Sequence, residues 1–489
     1  MSNHNASRRE FLRRSSVLSA SMGASAVPFA LNMAAMGQAV AQTADYKALV
    51  CLFLYGGNDS CNMVLPTDSA SWTAYQTVRN QGTDPIALRA PGTAADPGAP
   101  LASPAALGGV LPIAPAFTQF AANNARTFAL HPSMATVQSL FDQGRLAIAA
   151  NAGPLVTPLM KTEYRNNTKA RPSKLFSHND QQSTWQALAP EGAKVGWGGR
   201  FGDLLASRNT RSIFTNISVS GNAVFMSGDT IFQYQVGTNG AVAVGGITGT
   251  LFGSTAAAGT LRSIITADNQ HLFAKEHAAI VARSVSAQAD FNAAFSVSTV
   301  TAPPQYVVPS TGANGTNNLA VQLQAVARII GARSGLGASR QVFFVSMGGF
   351  DTHDGQNRGH ADLMARLSHA LGWFDGTLAA MGLRDSVTVF TASDFGRTFT
   401  TNGDGTDHGW GAHHFVSGGA VRGKEIYGRF PTVGLNHDDE VGSGSLLPGV
   451  AVDQIGGTLG KWFGVSDADL DFVFPNLRNF AQRDLGFMV

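Results

Sequence analysis

The chain has 489 residues, 44% of them hydrophobic and 13% charged, with 34 Lys+Arg against 32 Asp+Glu and a formal net charge of +2. That length is enough for one elaborated core or two simpler ones. The near-balance of charge excludes the clustered basic face that nucleic-acid binding needs, and no run beyond residue 41 is long and apolar enough for a membrane span.

The amino terminus reads as an export signal. Ser7-Arg8-Arg9-Glu10-Phe11-Leu12-Arg13 carries a twin arginine, a small-residue and apolar stretch follows, and Ala39-Val40-Ala41 gives the A-x-A cleavage pattern. A removed twin-arginine signal over residues 1–41 is expected, with the twin-arginine translocase as partner in export and a periplasmic or secreted mature protein. Removal takes away four arginines and one glutamate, which moves the net charge from +2 to about −1.

Lys47–Tyr55 (KALVCLFLY) is a nearly continuous apolar run, the pattern of a strand buried on both faces. It ends in Gly56-Gly57-Asn58-Asp59-Ser60, a turn that brings backbone close to a ligand. Cys51 sits in that strand and Cys61 just past the loop, so two separate buried thiols are expected rather than a disulfide. Residues 67–113, rich in Pro, Ala, Gly and Asp, read as a surface excursion. A helix at Pro132–Gln143 and a second buried strand at Arg145–Asn151 follow.

Lys161–Trp185 is polar and contains Ser177-His178. Ile213–Gly259 alternates Gly, Thr, Ser and Asn with Val, Ile and Phe, which places a β-rich insertion at about 205–260. Thr260–Phe295 reads as helical and Thr299–Asn318 as a linker. Leu319–Arg333 is a helix and Gln341–Met347 a strand that runs into Gly348-Gly349-Phe350-Asp351-Thr352-His353. An amphipathic helix at His360–Met381 leads to the strand Ser386–Ala392, a crossover unit of a parallel sheet. The expected fold is α/β, a mostly parallel central sheet with helices on both faces.

Three of these strands end in a Gly-containing loop that bears a carboxylate: Asp59, Asp351 and Asp394. Asp alone is common at strand ends as a turn former or helix cap. Three at the edge where α/β sheets collect ligands, with His353 and His408 nearby, point to a divalent metal. His413 and His414 are adjacent on a strand, so at most one can face such a site. His131 reads equally well as a satisfied structural histidine.

Arg397 either pairs with an anionic substrate through its planar fork or braces Asp394 or a carbonyl. Ser177, beside His178, is the first candidate nucleophile and Ser60 the second. No G-x-S-x-G elbow accompanies them.

At these residues the chain resembles the bacterial family called domain of unknown function 1501, twin-arginine-exported proteins related to the alkaline phosphatase and sulfatase superfamily. The matching pieces are Gly56-Gly57-Asn58-Asp59, Ser177-His178, Gly349–His353, Ser393–Thr398 and Gly405–Gly409. The resemblance implies that Asp59, Asp351, His353, Asp394 and His408 hold a divalent ion (zinc, manganese or calcium), with Ser177 as nucleophile and Arg397 on the anion. Two positions depart from the superfamily pattern. Asp351-x-His353 replaces Asp-x-x-x-His, and Phe395 stands where a histidine would ligate, so a full two-metal site is not expected, which leaves one metal, a rearranged site or loss of catalysis. The function implied is an exported metal-dependent hydrolase of phosphate or sulfate esters, with an anionic small-molecule or glycan ester as substrate. The alternative is a non-catalytic cell-envelope or glycan-binding protein on the same fold.

Overall fold

Lys47–Leu54 (β1) runs through the middle of a nine-stranded sheet, and its apolar side chains are buried on both faces as the uninterrupted run requires. The computed structural model describes residues 45–489 apart from 117 and 119, so the export signal expected over residues 1–41 lies outside the described residues. Residues Lys47–Val489 form one unit. The other strands of the sheet are Leu146–Gly153 (β2), Asn216–Ser218 (β3), Tyr234–Gln235 (β4), Arg340–Met347 (β5), Val387–Ser393 (β6), Ala412–Gly418 (β7), Ile426–Tyr427 (β8) and Val450–Ala451 (β9). They lie in the order β8–β2–β7–β6–β1–β5–β3–β4, with β9 also paired to β2. Every pairing is parallel except those of β7, which runs against both β6 and β2.

The helices that matter below are Ser69–Arg79 (α1), His178–Ala187 (α2), Trp197–Leu205 (α3), Asn318–Gly331 (α4), Gln356–Ala380 (α5) and Val452–Phe463 (α6). On one face of the sheet Leu49, Cys51 and Phe53 of β1 meet Trp185, Trp197, Phe201, Ile455 and Leu459 of α2, α3 and α6. The intervening side chains of β1 point the other way, because strand side chains alternate. Helix α4 packs on β5 and α5 through a buried stripe of Leu319, Leu323, Val326 and Ile330, spaced for a helical face.

Residues 205–260, expected as a β-rich insertion, carry two short strands, β3 and β4, that extend the central sheet at its edge. The segment read as one helix over Thr260–Phe295 is two helices, Thr255–Ile265 and Leu272–Val297, and the expected linker holds a two-stranded pairing of Tyr306–Val307 with Asn314–Gly315. Cys51 and Cys61 are both free thiols. Among the described residues, no helix is long and apolar enough to cross a membrane.

Register decides where the loops emerge. Leu54 pairs with Met347 of β5 and with Ser393 of β6, so the three strands end level. The segments that follow them, Tyr55–Asp59, Gly348–His353 and Asp394–Arg397, therefore leave the sheet side by side. Strand β7 runs in reverse, which returns the residues before Ala412, among them His408, to the same edge.

Candidate metal centre

Close backbone approach sets the floor of this edge. Gly56 has φ 116° and Gly57 has φ 83°, a region L side chains avoid. A Cβ on Gly56 would collide with the backbone of Asp351, and one on Gly57 with the ring of Phe395. The Gly-Gly pair thus lets the loops after β1, β5 and β6 pack in direct contact.

Four side chains converge above that floor. The ligand atoms of His178, Asp351 and His408 all lie within 4.8 Å of one another. His178 Nε2 is 3.5 Å from Asp351 Oδ2, and His408 Nε2 is 3.4 Å from Asp351 Oδ1. His353 Nε2 joins from the side, 3.0 Å from Asp351 Oδ1 and 3.0 Å from His408 Nε2.

Each imidazole is held from behind. His178 Nδ1 pairs with Asp394 Oδ2 at 2.6 Å, His353 Nδ1 with Asp407 Oδ1 at 3.2 Å, and His408 Nδ1 with the carbonyl of Phe176 at 2.8 Å. All three partners are acceptors, so each rear nitrogen has a partner for its N–H while Nε2 faces Asp351. Carboxylate or carbonyl on the rear nitrogen is how metal-bound histidines are oriented and made more basic.

His353 Nε2 and His408 Nε2 lie 3.0 Å apart, and both face Asp351 Oδ1. His178 Nε2 is buried without a hydrogen-bond partner. With His353 3.0 Å from both Asp351 and His408, the three imidazoles and the carboxylate form a donor set that fits a divalent metal. Phe176 supplies its carbonyl from a left-handed backbone (φ 71°), and Lys174 beside it is also left-handed (φ 52°). Such strain in bulky residues costs about 1–3 kcal/mol and gathers where a site dictates the geometry.

Asp351 carries the charge at the centre. Partial burial works to raise its pKa, but the hydrogen bond and charge of Arg397, with His178 and His353 behind, hold it below the ordinary carboxylate value. The hydrogen bond to Asp394 raises His178, while burial lowers His408.

The sequence placed five residues on the metal, and the structure brings Asp351, His353 and His408 together. Asp394 is buried one step behind, its Oδ2 taking His178, Gln182 Nε2 at 2.9 Å and the Gly56 N–H at 3.2 Å. Asp59 is elsewhere engaged: Arg79 of α1 grips both its oxygens, at 2.5 and 3.0 Å, and Gln356 Nε2 donates to Oδ2 at 2.5 Å.

Arg397 is fully buried and donates to Thr406, to the Gly56 carbonyl at 3.0 Å and to Asp351 Oδ1 at 2.8 Å. Its guanidinium is spent on bracing Asp351 and the loop carbonyls. The Ser177 hydroxyl donates to Asp180 Oδ2 at 2.9 Å at the start of α2. Phe395 lies against the cluster, its ring 4.8 Å from His178 and 4.6 Å from His408 between centroids.

The sequence does not single out His178 as a member of the cluster, nor Gln182 and Arg79 as the partners of Asp394 and Asp59. The pair Ser177-His178 was visible in the sequence, but the serine drew the attention.

Four other histidines are buried and take no part. His413 accepts the Asn151 N–H and stacks on Phe430, while His414 lies beside Thr391 and Trp185 on the opposite face of β7. His131 and His360 meet edge to face, and His360 reaches Asn58. Burial pushes His413 and His414 down to about 3 and His360 to about 4, and takes His131 well below its usual value.

A depressed folded pKa means the unfolded chain binds more protons below about 6.5. Their contribution is therefore complete above that pH and is lost as pH falls toward the folded values. Each can remove up to about 1.4 kcal/mol per pH unit in that window. The urea midpoint should drop steeply between pH 6.5 and 4 and stay flat from 7 to 8. A midpoint unchanged from pH 7 to 5 would contradict the assignment of neutral buried rings.

A single carboxylate faced by three oriented imidazoles at the edge of the sheet is a candidate His/Asp metal site on an α/β fold. Residues 46–447 match the family described as protein of unknown function (DUF1501), and the chain belongs to that family. None of the curated proteins matches the sequence. Two solved structures are similar at 10% identity. One, from work on the metabolism of multiple glycosaminoglycans by Bacteroides thetaiotaomicron, is aligned over 87% of this chain and 74% of its own, with a TM-score of 0.32. The other is the lipoteichoic acid synthase LtaP of Listeria monocytogenes, aligned over 88% of this chain and 76% of its own, with a TM-score of 0.30.

Proposed function

We propose that this chain is a metal-dependent hydrolase of phosphate or sulfate esters, with one divalent cation held by His178, Asp351, His353 and His408. The observation that carries the reading is the convergence of three Nε2 atoms on Asp351, each ring oriented by an acceptor at its far nitrogen. Three imidazoles and one carboxylate suit zinc or manganese better than calcium, which prefers an all-oxygen shell. When bound, such an ion acts as a Lewis acid on an ester oxygen and stabilises the charge that develops there.

The chain's own groups supply the rest. Asp394 and Gln182 hold His178 in register, and Arg397 keeps Asp351 ionised and fixed. Ser177 stands between Phe176, whose carbonyl anchors His408, and His178 itself. Its hydroxyl already has an acceptor for its proton in Asp180, so Ser177 is assigned as the attacking group. Metal analysis of the purified chain with a panel of aryl phosphates and aryl sulfates tests the reading. Ser177→Ala should lower turnover at least about a hundredfold and leave the metal content unchanged. Full turnover in that variant would move the attack to water, and a chain that binds no cation and cleaves no ester would remove the hydrolase reading altogether.

A further inference from the structure

The edge that carries the cluster opens along α2 into a cleft of about 260 Å³. Asn179, Gln182 and Gln186 line it from α2, with Tyr55, Glu191 and Asn222 on the other walls. Gln182 links the cleft to the cluster, because its Nε2 donates to the same Asp394 oxygen that orients His178. Asn179 follows His178 directly in the chain.

The chemistry of this lining is distinctive. Four carboxamides and a phenol each offer both a donor and an acceptor, and Glu191 is the one charged group among the described lining residues. No lysine, arginine or histidine is among them, and the nearby Arg397 guanidinium is buried and spoken for. Such a surface has nothing to neutralise an anion. Several of its groups are also held in place: Gln186 Oε1 accepts the Phe225 N–H at 3.2 Å, Asn222 Oδ1 is paired with Gln233, and the Tyr55 ring packs 4.6 Å from Phe53. That leaves the opposite end of the Asn222 amide, and the Gln182 carbonyl oxygen, available to a ligand.

We infer that this cleft receives the alcohol side of the substrate, and that this group is uncharged and rich in hydroxyls, such as one ring of a neutral sugar chain. The inference rests on the hydrolase reading above for the direction in which the substrate lies. Hydroxyls match the lining because each one donates and accepts, as a carboxamide does. A polyanionic chain is disfavoured, since Glu191 would repel it and no cationic side chain in the lining would offset the repulsion.

The test uses the full chain and saturation-transfer NMR with neutral tetrasaccharides of glucose and of N-acetylglucosamine, and a heparin tetrasaccharide as the polyanion. At least one neutral tetrasaccharide should bind. The exposed double substitution Asn179→Ala/Asn222→Ala should weaken it at least tenfold with metal content unchanged. Tighter binding of the heparin fragment, no binding of any neutral sugar, or an unaffected double variant would each overturn the inference. Metal content and ester cleavage of the unaltered chain separate the two readings. Sugar binding that persists without any metal in the unaltered chain leaves the cleft and removes the hydrolase. Metal and ester cleavage with a preference for polyanions leaves the hydrolase and removes the cleft assignment.

Discussion

Full-length protein carrying Asp351→Ala should bind less than about a hundredth of the zinc or manganese that the unaltered chain takes up at equal free concentration, since it loses the anionic donor that all three imidazoles face. Asp394→Asn should cost less, about 10–100-fold in affinity, because Asp394 touches the ion only through His178. Asp59→Asn should leave cation binding nearly unchanged, its carboxylate being held by Arg79 and Gln356 instead. Elemental analysis after dialysis against a metal buffer reads all three. Equal losses in the Asp351 and Asp59 variants would show that the ion sits lower in the sheet edge than the imidazole geometry places it.

The second large effect concerns stability. Arg79 and Asp59 are both fully buried, and Arg79 also donates to Asn62 Oδ1 and to the carbonyls of Thr398 and Phe399. Removing one member of such a pair leaves an uncompensated buried charge, which costs about 3–5 kcal/mol. Arg79→Met alone should therefore lower the urea midpoint severely. Arg79→Met combined with Asp59→Leu should recover part of the loss, because two apolar groups leave no stranded charge. A single variant as stable as the parent would mean that water reaches Asp59. The pair is also acid-sensitive: burial works to raise Asp59, but Arg79 wins and its pKa is lowered, so its stabilisation holds above the ordinary carboxylate value and fades as pH drops below it.

What the sequence disclosed followed from proximity to strands. The runs that became β1, β2, β5 and β6 were legible because a strand buried on both faces must be continuously apolar. Asp351, His353 and His408 were legible because each lies within a few residues of a strand end. His178 was not, since it opens a helix in a polar segment and meets Asp351 only through tertiary packing. The role of Arg79 was hidden for a similar reason. It ends a helix inside a stretch whose composition reads as surface, and nothing local announces that Asp59, twenty residues earlier, will draw it into the interior. Asp59 and Asp394 looked alike in the sequence, and only their partners distinguish a carboxylate that braces a loop from one that steers an imidazole.

Asp351 and the three imidazoles around it come from three separate chain segments, and the first and last of them, His178 and His408, are more than two hundred residues apart in the chain. An ion shared among them is in effect a removable cross-link between those loops, formed without any covalent bond. Because the unfolded chain cannot assemble that set, mass action makes the free cation concentration a term in folding: a hundredfold excess over the dissociation constant adds about 2.7 kcal/mol to the native state. With the proposed ion in place, how firmly this protein holds its shape would be set partly by the compartment in which it finds itself, through the ions available there.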